Sequence, residues 1–178
     1  MNPIIIIEKY YEKHSDLYNL LLQHSEDVAN KSLSVIRKHP ELNVDADFVA
    51  EAAMLHDVGV FLCYAPAIFC NGTHRYVEHG YLGAELLERE GFPRHALVAE
   101  RHTGTGLSLA EILERNLPLP HRDMQPQSIE EQIICYADKF FSKSQPLHEQ
   151  TLSEITKNLT KFGTEKAEIF MLWHEKFK

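Results

Sequence analysis

Residues 46–59 read ADFVAEAAMLHDVG, and this stretch decides the fold. Asp45 stands before it as a helix N-cap, and Phe48, Val49, Ala52, Ala53 and Leu55 recur at three- and four-residue spacing, the pattern of a helix with one buried face. That face runs directly into His56 and Asp57, and Gly59 ends the helix. An adjacent histidine and aspartate are therefore delivered at the inner end of a core helix. An ionisable group there costs several kcal/mol unless it is paired or binds a metal.

Working outward, the periodicity is helical nearly throughout, with little of the strict alternation that marks strands, so the expected class is all-α. Helices are expected over 3–13, opened by Pro3, over 15–22, capped by Ser15, and over 25–38, ended by His39-Pro40. The stretch 60–76 has no clear period and holds Pro66 and Asn71-Gly72, which reads as a long loop or lid. Further helices are expected over 77–90, 93–102 and 107–116, closed or opened by Gly91, Pro93 and Gly104. Three prolines make 117–127 irregular. A helix over 128–144 and two more within 147–177, broken at Gly163, complete the chain, with Phe170, Trp173 and Phe177 as a core stripe.

The 178 residues make one domain at about 150 residues per domain, with a core over about 15–145 and C-terminal helices over 147–177. Composition is that of an ordinary soluble globular protein, 44% hydrophobic and 25% charged. Eighteen basic against 26 acidic residues leave a net charge of −8, which argues against nucleic acid as a partner. The apolar run Ile4–Ile7 is too short for a signal-peptide core or a membrane span. Cys63, Cys70 and Cys135 form no CxxC pair and suit a reducing, cytoplasmic setting. Eleven histidines exceed the eight glycines and the eight prolines, so their placement is the main question.

Six residues answer it: His24, His56, Asp57, His79, His102 and Asp138. His79 shares a helical face with Leu82, Gly83 and Leu86, His102 with Val98 and Ala99, and Asp138 with Ile134, Cys135 and Phe141. Five helices that each aim polar groups at the core need a shared reason, and a metal centre supplies it. Four imidazoles and two carboxylates exceed one tetrahedral site, so two ions fit better. Asp57 then bridges them, with His24, His56 and Asp138 on one ion and His79 and His102 on the other. Asp57, His79 and His102 form the catalytic end. Nitrogen and oxygen donors without thiolate suit iron, manganese, cobalt, nickel or zinc.

In order, His24, His56-Asp57, His79, His102 and Asp138 resemble the HD-domain superfamily of metal-dependent phosphohydrolases. The wording is close as well: HSEDVA around His24, AAMLHDVG around the pair, HGYLGAELLEREG from His79 and YADK around Asp138. The similarity covers roughly residues 15–145 and is greatest to the small, single-domain HDIG type, and more distant to the group that splits diadenosine tetraphosphate. Valine replaces isoleucine in the HDIG signature, a change of one methylene.

The resemblance implies a hydrolase that cleaves a phosphate ester of a nucleotide or other small metabolite with a metal-activated water. Two divalent ions outweigh the charge of Asp57 and Asp138 and make the pocket electropositive inside an acidic protein. Candidate substrate contacts are Arg101, Thr103 and Lys139 beside the ligands, with His74, Arg75 and His95 within reach of phosphate or of the ligands themselves. His14, His39, His121, His148 and His174 read as solvated. The same ligands also serve HD-type mixed-valent di-iron oxygenases that act on a small polyol or phosphonate, and a non-catalytic signalling or interaction module is a third reading. A homodimer through the apolar C-terminal helices is left open.

Overall fold

The computed structural model describes residues 1–178. Nine helices carry the architecture, and the strands are confined to two small hairpins. Helix α1 (Pro3–Tyr10) starts at Asn2, whose side chain accepts from the Ile4 backbone N–H. Helix α2 (Asp16–Lys38) is capped by Ser15 and runs unbroken for 23 residues, where two separate helices were expected. Its buried residues Tyr18, Leu21, Ser25, Val28, Ser32 and Val35 keep three- and four-residue spacing throughout. The polar triplet Gln23-His24-Ser25 mimics a break, yet it contains no glycine or proline, and His24 and Ser25 lie inside the protein.

Helix α3 (Ala46–Leu55) begins at Asp45, whose carboxylate accepts from the Phe48 N–H, as its sequence requires. The turn at 56–59 then presses against helix α4 (His79–Arg89). A Cβ on Gly59 would lie 2.3 Å from the His79 carbonyl oxygen and 2.5 Å from the Gly83 nitrogen. The glycine of the HDVG sequence is therefore fixed by a backbone-to-backbone approach. Helix α5 (Pro93–Arg101) packs closely on α4, where a Cβ on Gly80 would meet the Ala99 carbonyl oxygen at 2.7 Å.

The stretch 60–76 is a folded excursion. Two 3-10 turns flank β1 (Tyr64–Ala65), which pairs antiparallel with β2 (Cys70–Asn71), and a third 3-10 turn, Tyr76–Glu78, leads into α4. The helix expected over 107–116 shortens to α6 (Leu109–Glu114), and 117–127 has no regular element.

Helix α7 (Ile129–Asp138) stops six residues before the expected end. Residues 141–149 instead fold back as β3 (Phe141–Ser142) and β4 (Gln145–Glu149). The apolar Phe140-Phe141 pair extended the helical pattern of the sequence, but a proline at 146 and the strand pairing favour a hairpin. Helices α8 (Leu152–Thr160) and α9 (Thr164–Phe177) follow, broken at Gly163 as expected.

Three apolar clusters position the centre. Leu21, Leu55, Val58, Leu87 and Ala99 pack on one side, and Val28, Val49, Ala53, Val98 and Ile134 pack between α2, α3, α5 and α7. Phe170, Trp173 and Phe177 are buried, and together with Ile133 and Tyr136 they seat α9 against α7. Lys166 of α9 is also buried and donates to the Gly106 carbonyl (2.8 Å) and to Glu111 (2.5 Å), which fastens α9 to the segment after His102. No helix is long and apolar enough to cross a membrane.

Candidate metal centre

His24 comes from the middle of α2, His56 and Asp57 from the turn after α3, His79 from the first turn of α4, His102 from the end of α5 and Asp138 from the end of α7. All six are buried, His56 and Asp57 completely. Their donor atoms fall into two groups, His24–His56–Asp57–Asp138 and Asp57–His79–His102. Asp57 belongs to both and divides its oxygens between them. Oδ2 lies 3.0 Å from His24 Nε2 and from His56 Nε2, whereas Oδ1 lies 3.2 Å from His79 Nε2 and 3.4 Å from His102 Nε2. Asp138 Oδ1 completes the first group at 3.0 Å from His24 and 3.4 Å from His56.

The imidazoles are oriented by one repeated device. His56 Nδ1 donates to the Ala53 carbonyl (2.6 Å), His79 Nδ1 to Tyr76 (2.5 Å) and His102 Nδ1 to Ala99 (2.8 Å), each three residues upstream. A carbonyl only accepts, so these bonds place a proton on Nδ1 and turn Nε2 inward, where it can bind a metal once it carries no proton of its own. His79 and His102 Nε2 then stand 3.0 Å apart, and His24 and His56 Nε2 3.3 Å apart. With their protons on Nδ1, His79 and His102 set two lone pairs against each other, which repel unless a cation lies between them. Donors held about 2.1 Å from a transition metal lie about 3.0 Å apart at an octahedral edge and about 3.4 Å apart at a tetrahedral one, which is the spacing found here. Both Asp57 oxygens are fully buried and accept no well-angled hydrogen bond. The residues fit divalent metal on each count.

Charge tells the same story. Burial alone would raise the Asp57 carboxyl, but Lys143 and His56 overcome it and hold the group well below the usual carboxylate range. Asp138 is likewise lowered against burial, mainly by Lys139 and His24. Burial lowers His56, yet Asp57 and Asp138 outweigh it and raise the imidazole to about 9. Burial dominates at His102 and brings it down to about 4. Ionised carboxylates thus sit among imidazoles in a dry interior, an arrangement that asks for cations.

A cleft of about 490 Å³ opens beside the first donor group. Asp138, Lys139 and Lys143 line its polar end, and Ile68, Leu159 and Phe162 its apolar wall. Lys139 Nζ pairs with Asp138 Oδ2 at 2.5 Å and donates to the His102 carbonyl at 3.2 Å. Lys143 Nζ lies 2.5 Å from Asp57 Oδ2. Tyr76 stacks on the His79 ring with centroids 4.7 Å apart.

Of the residues picked from the sequence as substrate contacts, only Lys139 reaches the six. Thr103 faces Gly80 at the α4–α5 contact, its Oγ1 3.2 Å from where a Cβ would stand, and borders a smaller pocket with Val77 and Gly104. Arg101 is tied to Glu131 through Nη1 at 3.0 and 3.1 Å and joins α5 to α7. His74 pairs with Glu78 at 3.1 Å, and Arg75 is exposed. His95 sits at the far end of α5 from His102, packed edge-on against Phe48 and Phe92 with Nε2 3.4 Å from Glu51. Lys143 escaped sequence reasoning because a helix over 128–144 would have carried it away from the centre. The only signal for it was the proline at 146 that makes the chain fold back.

A profile of the HD domain matches residues 21–142. The chain belongs to the HD-domain family. It is 37% identical over 107 residues to the uncharacterized protein MJ0778 of Methanocaldococcus jannaschii, which covers 60% of this chain and 56% of that protein. It is 29% identical over 148 residues to a tRNA (cytidine(56)-2'-O)-methyltransferase of Thermoplasma volcanium, covering 83% of this chain but 38% of the relative. The chain thus spans about half or less of the length of these curated relatives. Among solved structures, the HD domain of the L. monocytogenes phosphodiesterase PgpH, crystallised with cyclic-di-AMP, superposes with a TM-score of 0.51. The match is 19% identical and covers 92% of this chain and 95% of that one, a likeness of fold. The HD profile ends at residue 142, so Lys143 and the wall formed by α8 lie beyond it.

Proposed function

We propose that this HD-domain protein is a metal-dependent phosphohydrolase that cleaves a phosphate ester of a nucleotide or similarly small metabolite. The observation that carries the reading is the division of Asp57, one oxygen toward each of two buried imidazole groups. His24, His56, Asp57 and Asp138 would hold one divalent ion, and Asp57, His79 and His102 the other. Such a pair supplies Lewis acidity toward phosphoryl oxygens and an ionisable water near neutral pH.

The chain's own groups do the rest. The three Nδ1–carbonyl bonds keep the imidazoles aimed, and ionised Asp57 and Asp138 balance the cationic load. Lys139 and Lys143 offer ammonium groups to an anionic substrate at the polar end of the cleft. The apolar wall of α8 offers contact to the organic part of the substrate. A thiolate nucleophile is disfavoured, because burial pushes Cys63 and Cys135 up to about 12 and Cys70 up to about 11. His74 and His95 are engaged elsewhere, so neither serves as the leaving-group acid in this arrangement.

The test is phosphate release from nucleoside monophosphates, dinucleoside polyphosphates and sugar phosphates by protein loaded in turn with iron, manganese, cobalt and zinc. Metal-dependent release is expected, reduced by about a thousandfold or more in Asp57→Ala, since a lost metal removes several kcal/mol of transition-state stabilisation. Oxygen uptake by the iron-loaded protein with no phosphate release from any substrate would instead support the di-iron oxygenase, which needs the same donors.

A further inference from the structure

We propose that Lys143 is a positioning residue for the substrate phosphate, and that its ammonium stands within the first donor group until bound metal displaces it into the cleft. This rests on the metal-centre reading above. Lys143 Nζ lies 2.5 Å from Asp57 Oδ2 and donates to His24 Nε2 at 3.3 Å. Both atoms belong to the first donor group, and the same Asp57 oxygen is 3.0 Å from both His24 and His56. An ammonium and a divalent ion cannot share that carboxylate oxygen and that imidazole lone pair, because like charges at such range repel strongly in a low-dielectric interior. Loading the group requires one of them to leave.

The six donors are fixed in helices or at their ends, but Lys143 is carried by the turn between β3 and β4. The whole of β4 is exposed, and the ladder is irregular between Phe141 and Ser142. Beyond Phe141, which packs on the core, this arm has little packing to lose on moving. Its side chain nevertheless turns inward and is only 12% exposed. Lys139 differs, because the His102 carbonyl and the end of α7 hold its ammonium in place. Lys143 has no carbonyl partner, and the space next to it is the cleft it already lines. An ammonium expelled from the donor group therefore enters the volume where a phosphate bound to the centre would lie, and a charge-assisted hydrogen bond holds it there.

The proposal is tested by titrating the metal-free full chain with manganese, and the manganese-loaded chain with inorganic phosphate, both by calorimetry. Lys143→Met is compared with the native protein and with Lys157→Met, which removes the same charge from an exposed position on α8. Lys143→Met is expected to bind manganese about tenfold more tightly, as a competitor occupying nine-tenths of the sites would dictate. It should bind phosphate about tenfold or more weakly, the usual effect of losing a charge-assisted bond. Lys157→Met should change neither, and Lys143→Arg should recover part of the phosphate affinity. With circular dichroism showing an intact fold, unchanged or weaker manganese binding by Lys143→Met overturns the proposal, and so does unchanged phosphate binding. If the native chain takes up manganese and Lys143→Met behaves like it, the metal centre stands and this role falls. A native chain that binds no manganese overturns both.

Discussion

Asp57 is fully buried, its two oxygens face different pairs of imidazoles, and no well-angled hydrogen bond reaches either oxygen. His79, by contrast, serves only the second group. His79→Ala should therefore leave one ion per chain, which elemental analysis of the loaded protein would show. Protonation gives a second expectation. With only the protein's charges present, His56 is raised to about 9 and carries a proton at pH 7. An imidazole must shed that proton to bind metal, so apparent metal affinity should rise by about tenfold per pH unit between 7 and 9. His102, brought down to about 4, adds nothing to this slope near neutrality. Calorimetry in buffers of different ionisation enthalpy should register about one proton released per chain at pH 7. Release of none would contradict the assignment of His56. His56, His79, His102 and Asp138 were legible in the sequence as polar residues on apolar helical faces, and His24 and Asp57 by their place in the ordered pattern of histidines and aspartates. Lys143 was not, since its place depends on a hairpin, and the ion pair of Arg101 with Glu131 depends on which helices meet.

The turn after α3 shows how one glycine places two ligands. A Cβ on Gly59 would stand 2.3 Å from the carbonyl oxygen of His79, itself a donor residue, so the two backbones would have to separate. Gly59→Ala should destabilise the protein by about 3 kcal/mol, at the upper end of overpacking effects. Gly91 has φ +85° but nothing within 4 Å of an added Cβ, so Gly91→Ala should cost only about 1 kcal/mol of backbone strain. Urea denaturation of both variants would check the contrast, and equal losses would show that the close approach is not what Gly59 serves. Sequence pattern resolved the elements with clear caps, such as α3 after Asp45 and α9 after Gly163. It failed where polar residues point inward, as in the middle of α2, and where apolar residues continue past a helix end, as at Phe140 and Phe141.

At the scale of the molecule, five helices converge on one centre while α8, backed by α9, walls the cleft next to it. A chain of net charge −8 thus presents two partly buried lysines at the polar end of that cleft. Because the donors come from α2, α3, α4, α5 and α7, bound ions should tie the bundle together. Metal at a hundred times its Kd adds about 2.7 kcal/mol, and a chain of this size should then melt about 5–10 °C higher than after chelation. Differential scanning calorimetry with and without chelator reads this directly, and an unchanged Tm would mean that the ions do not bind the folded form. The all-α class was legible from helical periodicity, and the family from the fixed order of the six histidines and aspartates along the chain. The cleft was not, because most of its lining comes from the last quarter of the sequence, packed by Phe170, Trp173 and Phe177 against α7.

The central claim is a two-ion centre bridged by Asp57, and the most direct measurement is the metal content per chain of manganese-loaded native protein and of Asp57→Ala. Two ions are predicted for the native chain and less than one for the variant, with both groups emptied together. His148→Ala, altered at an exposed histidine that pairs with Glu154, should keep two. Two ions retained in Asp57→Ala would contradict the account.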